Sequence, residues 1–123
     1  MFIEIDLQSN QPIYGQAVMQ IKFAIAAGSV KEGEMLPSVR DLAKQLTLNP
    51  NTVARAYQQL KAEDITLTRR GDGIEVAEGA AEKCIAERKN YFIRRFADFL
   101  AEAQRSKLPE AELKEIVSRG TPK

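Results

Sequence analysis

Two helix starts in close succession, at Ser38 and at Asn49, constrain the fold more than any other feature of the sequence. Ser38 is a favourable N-cap residue, and Asp41 follows it three residues later, as in a capping box. Asn49 can cap the next helix, and Pro50 suits the first position of that helix. The pattern predicts a helix over 38–46, a tight break over 47–49 and a helix over 50–62.

Regular patterns also flank this helix pair. Before it, apolar residues recur at three- and four-residue spacings over 12–27, and Gly28 can end that helix. After it, two alternating apolar and polar runs around a Gly-Asp-Gly turn at 71–73 predict a β-hairpin. Residues 2–7 alternate as well, which is typical of a short strand or an extended arm. The elements follow one another in the order of a winged helix-turn-helix.

A second segment begins after Gly79. A long helical pattern starts at Ala80, and Pro109 begins a last short helix that ends at Gly120. A length of 123 residues fits one small domain and an appendage. We therefore expect a mainly α protein with a small β-hairpin wing, divided into a winged helix-turn-helix domain over 1–79 and a C-terminal helical dimerisation segment over 80–123.

The long C-terminal helix concentrates aromatic side chains on one face. Left exposed, these side chains would form a larger apolar patch than soluble monomers usually tolerate. The last helix is too short to cover all of them, so we expect the same surface of a second chain to do so in a two-fold homodimer. The predicted interface residues are Ile85, Phe92, Phe96 and Phe99.

The predicted helix over 50–62 carries side chains that can recognise bases. Asn and Gln pair bidentately with adenine, and Arg pairs in the same way with guanine. In a winged helix-turn-helix this helix lies in the major groove, while the hairpin contacts the backbone or the minor groove. We therefore expect the helix to contact double-stranded DNA through Asn49, Asn51, Thr52, Arg55 and Gln58.

Charge alone does not decide whether the partner is a nucleic acid. The chain has 18 basic and 17 acidic residues, a net charge of +1. Residues 1–79 contain 8 basic and 10 acidic side chains, a net −2, although six basic residues outnumber three acidic ones within 38–70. A winged-helix module that binds another protein and no DNA is therefore the alternative.

The composition argues against several other classes of protein. There is no histidine and only one cysteine, Cys84, so we expect no internal disulfide, zinc site or His-based catalysis. No nucleophile–base pair, carboxylate pair or phosphate loop stands out, so we expect no enzyme activity, cofactor or metal. No apolar run approaches the ~18 residues of a membrane span, and the acidic N-terminus is unlike a signal peptide, so we expect a cytoplasmic protein.

The run LPSVRDLAKQLTLNPNTVARAYQQL at 36–60, followed by RRGDGIEV at 69–76, resembles the GntR family of bacterial transcription regulators. LPSVR, NPNTV and RAYQQL resemble its YtrA-like subfamily in particular, and the resemblance covers about residues 11–79. It implies a repressor that binds an inverted-repeat operator as a homodimer, with GT and AC in its half-sites. It leaves open whether a small-molecule effector binds.

The resemblance also implies roles for individual residues. Arg40 matches an arginine that contacts DNA from the second helix, and Arg70 and Gly71 match the tip of the wing. Ala54 departs from the family, because most members have an arginine there, and Arg55 follows one position later. The complete predicted DNA-binding set is Ser38, Arg40, Asn49, Asn51, Thr52, Arg55, Arg69, Arg70 and Gly71.

Simpler structural roles are open for several of these side chains. Arg40 could pair with Asp41 or Asp64 on the surface of the domain. Arg69 and Arg70 could protect the edge of the hairpin against aggregation. Two further residues are expected to pack rather than to bind or react: Tyr57 in the core and Cys84 in a helical stripe.

Overall fold

The computed structural model describes residues 3–69, 71 and 73–122 of the chain. Its elements confirm the expected order and the mainly helical class with a small hairpin. In chain order they are α1 (Ile13–Ala26), α2 (Val39–Leu46), α3 (Pro50–Ala62), β1 (Thr66–Arg69), β2 (Gly73–Val76), α4 (Ala80–Arg105) and α5 (Glu110–Gly120).

The chain forms two compact units, the first ending at Arg88 and the second beginning at Lys89 within α4. The first unit therefore extends beyond the boundary that the sequence suggested after Gly79. The physical reason is that Ala80 and Cys84, at the start of α4, are fully buried in the core of the first unit.

Side-chain caps define the turn between α2 and α3, as the sequence predicted. The Ser38 hydroxyl accepts a hydrogen bond from the Asp41 backbone N–H at 3.0 Å, and Asn49 Oδ1 accepts one from the Asn51 N–H at 2.8 Å. Thr47 ends α2 in the left-handed region with φ 54°. These local bonds fix where α2 and α3 begin.

The core of the first unit lies between α1, α2, α3 and the hairpin. Tyr57 belongs to this core, as expected, and its hydroxyl donates to the Pro37 carbonyl oxygen at 2.7 Å. Burial raises the pKa of that hydroxyl well above its usual value. The largest fully buried side chains are Ile21, Ile25, Leu42, Leu60, Ile65, Val18, Val53, Val76 and Cys84.

The hairpin pairs β1 with β2 in an antiparallel register from Thr66 opposite Val76 to Arg69 opposite Gly73. The segment before α2, for which the sequence predicted no strand, pairs with the free edge of β2. Leu36 N–H donates to the Ile74 carbonyl at 2.8 Å, and Val76 N–H donates to the Glu34 carbonyl at 2.9 Å. This pairing fixes the wing to the body of the unit.

The N-terminal residues form an arm rather than a strand. Residues 3–6 belong to no strand, although Ile3 is buried in the core. Gln16 of α1 holds the arm, because Gln16 Oε1 accepts from the Asp6 N–H at 2.8 Å and Gln16 Nε2 donates to the Asp6 carbonyl at 3.0 Å.

A buried lysine connects three helical segments of the first unit. Lys22 Nζ of α1 lies 2.7 Å from Glu63 Oε1 after α3 and 2.5 Å from Glu87 Oε2 in α4. Burial opposes the charge of Lys22, but the hydrogen bonds and the attraction of both carboxylates outweigh it and raise its pKa. Burial likewise opposes the charge of Glu63, while Lys22 lowers the pKa of Glu63 overall. The cluster fixes the first turns of α4 to α1.

The second unit contains the remainder of α4, from Lys89, and α5. Pro109 precedes α5 in an extended conformation, which places the last helix as expected. Ala103 is buried, whereas α5 has no buried residue.

Candidate nucleic-acid interface

The exposed face of α3 is the centre of the candidate site. Val53, Ala56, Tyr57 and Leu60 bury one side of this helix. Asn51 and Arg55 lie on the opposite side and are exposed, and Thr52 is half-buried beside them. This face therefore presents an amide, a hydroxyl and a guanidinium to a partner.

Two of the predicted contact residues already have structural roles as caps. The Asn49 side-chain oxygen caps α3, and the Ser38 hydroxyl oxygen caps α2. Each keeps a donor group, the Asn49 amide N–H₂ or the Ser38 O–H, that a phosphate could accept from. The capping role explains these residue types without DNA, so they are weaker evidence for a binding site than Asn51 or Arg55.

Arg40 lies exposed in the first turn of α2. Among the described residues it forms no ion pair with Asp41 or Asp64, the alternative that the sequence had suggested. The charge of Arg40 is therefore available to a binding partner, close to the N-cap of α2.

The exposed side chain of Arg55 packs on an aromatic ring of α1. The guanidinium carbon of Arg55 lies 3.8 Å from the centroid of the Tyr14 ring. The apolar spacing over 12–27 includes Tyr14 but gives no sign of this contact. No local spacing could reveal it, since the two residues lie on different helices that meet only in the fold.

The wing contains an ion pair that was also not anticipated. Arg69 Nε lies 3.1 Å from Glu75 Oε1, and Arg69 Nη2 lies 3.2 Å from Glu75 Oε2. Only 17% of the Glu75 side chain is exposed, so this carboxylate holds Arg69 against the sheet. Gly71 adopts φ +77° in the exposed turn, a conformation that favours glycine. The predicted contact residue Arg70 lies outside the described residues.

A groove separates α3 from the wing and flanks the exposed face of the helix. Its volume is about 270 Å³, and its walls are mostly apolar. Ala54, Gln58 and Lys61 of α3 line one wall, and Thr66, Thr68 and Ile74 of the hairpin line the other. Tyr14 and this groove therefore lie beside different residues of the exposed face of α3.

The predicted dimer residues are exposed. Phe92 and Phe96 are each 55% exposed and Phe99 is 38% exposed, all in the second unit. The rings of Phe96 and Phe99 stack with centroids 6.3 Å apart. Ile85 is also exposed, but it precedes Lys89 and belongs to the first unit.

The part of the chain that the structure describes contains no cluster of three or more Cys, Asp or Glu side chains placed to hold a metal ion. Cys84 is a buried free thiol, and burial raises its pKa to about 11. This agrees with the packing role expected for it. None of the described helices is long and apolar enough to cross a membrane.

A three-helix unit with a tight turn before an exposed helix, and with a hairpin beside that helix, is a winged helix-turn-helix. The sequence model of the family of bacterial regulatory proteins called the gntR family matches residues 13–76. The chain belongs to this family.

Individual relatives agree with this assignment. The HTH-type transcriptional repressor YtrA of Bacillus subtilis is 46% identical over 78 residues, which cover 63% of this chain and 60% of the repressor. The chain therefore matches less than two thirds of that relative's length.

Solved structures match over nearly the whole chain. A transcriptional regulator from Oenococcus oeni has a TM-score of 0.71 at 30% identity, covering 96% of this chain and 98% of the regulator. A GntR family transcriptional regulator from Listeria monocytogenes has a TM-score of 0.73 at 28% identity, covering 94% of this chain and 100% of the regulator. The winged helix-turn-helix and the helical C-terminal part thus occur together in other regulators.

Proposed function

We propose that this protein is a DNA-binding transcription regulator that recognises an inverted-repeat operator as a homodimer and represses transcription by occupying it. The observation that carries the proposal is the exposed face of α3, where Asn51, Thr52 and Arg55 lie together without a carboxylate partner among the described residues. These are the side-chain types that read adenine, contact phosphate and read guanine in the major groove.

Phosphate contacts would place α3 in the groove. Arg40 at the start of α2 and the helix N-termini near Ser38 and Asn49 can bind the backbone on either side of the reading face. The wing would approach the neighbouring backbone or minor groove through its turn at Gly71. Arg69 contributes less than the sequence suggested, because Glu75 already compensates its charge.

The proposed dimer forms through the second unit. Phe92, Phe96 and Phe99 recur at helical spacing, so they lie on nearly one side of α4. Burying one Phe side chain stabilises a protein by roughly 1.5–3 kcal/mol. The same face of a second chain is the partner that a two-fold dimer supplies. Two copies of α3 would then contact two half-sites related by a dyad.

We also propose that the protein represses transcription and acts in the cytoplasm. The Bacillus subtilis relative is named as a repressor, and it is 46% identical over the matched 78 residues. A regulator without its own catalytic site can block transcription simply by occupying DNA that the polymerase needs. Because its target would be chromosomal DNA, we place the protein in the cytoplasm.

Fluorescence anisotropy with the upstream region of the protein's own operon tests the proposal. The expected result is tighter binding to this DNA than to a shuffled duplex of the same composition. Affinity for both should fall steeply between ~50 and ~200 mM salt, since bound cationic side chains displace counterions. Equal affinity for the two duplexes would contradict the proposal. If the protein bound neither duplex, a winged helix that binds another protein would be favoured, which the net charge of −2 over 1–79 allows.

A further inference from the structure

We infer that Tyr14 of α1 is a positioning residue that determines sequence specificity, because its ring orients the Arg55 guanidinium for a guanine in the major groove. The inference rests on the proposed function and adds a residue outside the helix pair to the reading site.

The stack between the two residues is close. The Arg55 guanidinium carbon lies 3.8 Å from the Tyr14 ring centroid, well inside the ~6 Å limit for attraction between a cation and an aromatic ring. At such a short distance the planar guanidinium rests on the ring, so its position follows the position of the ring.

Tyr14 is a firm support for this contact. It lies in the first turn of α1, and the following residues Ala17 and Val18 are buried in the core. The neighbouring Gln16 binds the N-terminal arm through Asp6 and also donates to the Gln11 carbonyl at 3.0 Å. Hydrogen bonds and packing therefore hold the start of α1 in place, and the half-buried ring has little freedom to move away from α3.

The chemistry of the stack differs from that of an ion pair in a way that matters for reading bases. A ring occupies the flat face of the guanidinium and leaves the N–H donors along its edge available. In the wing, Glu75 instead occupies the edge of Arg69 with two hydrogen bonds. Arg55 is thus oriented without losing the donors that would bond O6 and N7 of a guanine.

The stack is expected to increase operator affinity because it orders the Arg55 side chain before DNA binds. A free arginine side chain loses rotamer entropy when it is fixed. A stack that already exists in the free protein removes part of this cost from binding at the one base that Arg55 reads. It gives little benefit on random DNA, where no guanine is placed to accept the fork.

A double-mutant cycle on the 123-residue chain tests the inference. The variants are Tyr14→Leu, Arg55→Ala and both together, with Tyr14→Phe as the matched control that keeps the ring. Affinities are measured by anisotropy for the operator, for operators substituted at each base pair, and for a shuffled duplex. Circular dichroism and thermal unfolding show whether each variant is folded.

We expect Tyr14→Leu to weaken operator binding about 5- to 10-fold, a part of what one bidentate contact contributes, and to leave binding to the shuffled duplex unchanged. The preference for guanine should decrease at one position in each half-site. Tyr14→Phe should bind like the wild type, and Tyr14→Leu should cost nothing further once Arg55 is alanine.

Three results would overturn the inference while the wild type still binds its operator specifically. They are an unchanged affinity in Tyr14→Leu, an equal loss on shuffled DNA, and an undiminished Tyr14→Leu effect in the Arg55→Ala background. A wild type without specific binding would instead contradict the proposed function itself.

NMR keeps the inference testable if Tyr14→Leu does not fold. The Arg55 Nε–H and Cδ–H resonances of the wild type should be shifted upfield by the ring, and should keep that shift in Tyr14→Phe. Unshifted resonances would show that the stack does not persist in solution, and the inference would then be wrong.

Discussion

The two units of this protein distribute their apolar side chains in opposite ways. In the first unit α1, α2, α3 and the hairpin enclose a continuous apolar core, and the exposed face of α3 is polar. In the second unit the largest apolar side chains face outward, with Phe92 and Phe96 each 55% exposed. The first unit thus buries most of its apolar side chains within one chain, whereas the second leaves an apolar face exposed.

The largest effect is expected from a charge placed on the aromatic face of the second unit. Phe96→Glu should give monomers and should weaken operator binding by about 10²- to 10⁴-fold, because two linked half-site contacts become separate binding events. Sedimentation equilibrium measures the mass, and anisotropy measures the affinity. Asn90→Glu is the matched control, since Asn90 is exposed and lies on another side of α4. An undisturbed dimer in Phe96→Glu would show that the interface lies elsewhere.

The next effect concerns the polar face of the first unit. Arg55→Ala should cost about 1–3 kcal/mol at the operator and relax the preference at one base position, as for a lost bidentate contact. Binding to random DNA should change little. Affinities for a panel of operators with single base-pair substitutions measure both quantities. If the variant lost affinity equally for every sequence, Arg55 would be a phosphate contact.

The buried ion cluster tests how far the first unit extends along α4. Lys22→Met leaves Glu63 and Glu87 without their shared cation, and it should lower the free energy of unfolding by about 1–3 kcal/mol at neutral pH. Urea unfolding measures the loss. Lys44→Met is the control, because Lys44 is exposed on α2. Equal losses in the two variants would mean that the cluster does not stabilise the unit.

The same cluster predicts a pH dependence of the wild type. Lys22 lowers the pKa of Glu63 below its usual 4.5, so the stability from this carboxylate is complete above that pH and disappears as the pH falls through the lowered value. The raised pKa of Lys22 means that its contribution is complete below 10.5 and disappears above the raised value. Wild-type stability should therefore fall more than that of Lys22→Met when the pH is lowered from 7 to about 3.

The smallest effect is expected in the wing. Arg69→Ala should weaken binding by less than about threefold and to the same extent on all sequences, because Glu75 already holds this side chain and an exposed ion pair contributes little. Anisotropy on operator and shuffled duplexes gives the two affinities. A loss confined to the operator would mean that Arg69 leaves Glu75 to read a base.

The sequence predicted the helices and the hairpin of this protein, but not the contacts between distant segments. Caps, apolar spacings and turn residues act over a few positions, so the sequence located α1, α2, α3, the hairpin and both C-terminal helices. The edge pairing of Leu36 with the wing, and the packing of Cys84 into the first unit, depend on contacts between distant segments. Local patterns carry no signal for either.

The candidate site divides in the same way. Asn51, Thr52 and Arg55 were recognisable from their positions at the start of a capped helix. Tyr14 beside Arg55 and Glu75 beside Arg69 were not, because each pair depends on how two elements pack or pair. The sequence predicted Ser38 and Asn49 both as helix caps and as DNA contacts. The structure shows that their side-chain oxygens accept the capping hydrogen bonds.

Sequencing of genomic fragments retained by the purified protein at ~150 mM salt tests whether the protein recognises a specific operator, since non-specific contacts weaken at that ionic strength. We expect enrichment of fragments that share one inverted repeat, with half-sites spaced by about one helical turn and containing GT and AC related by a dyad. Retained fragments with the same sequence distribution as the input would contradict this expectation.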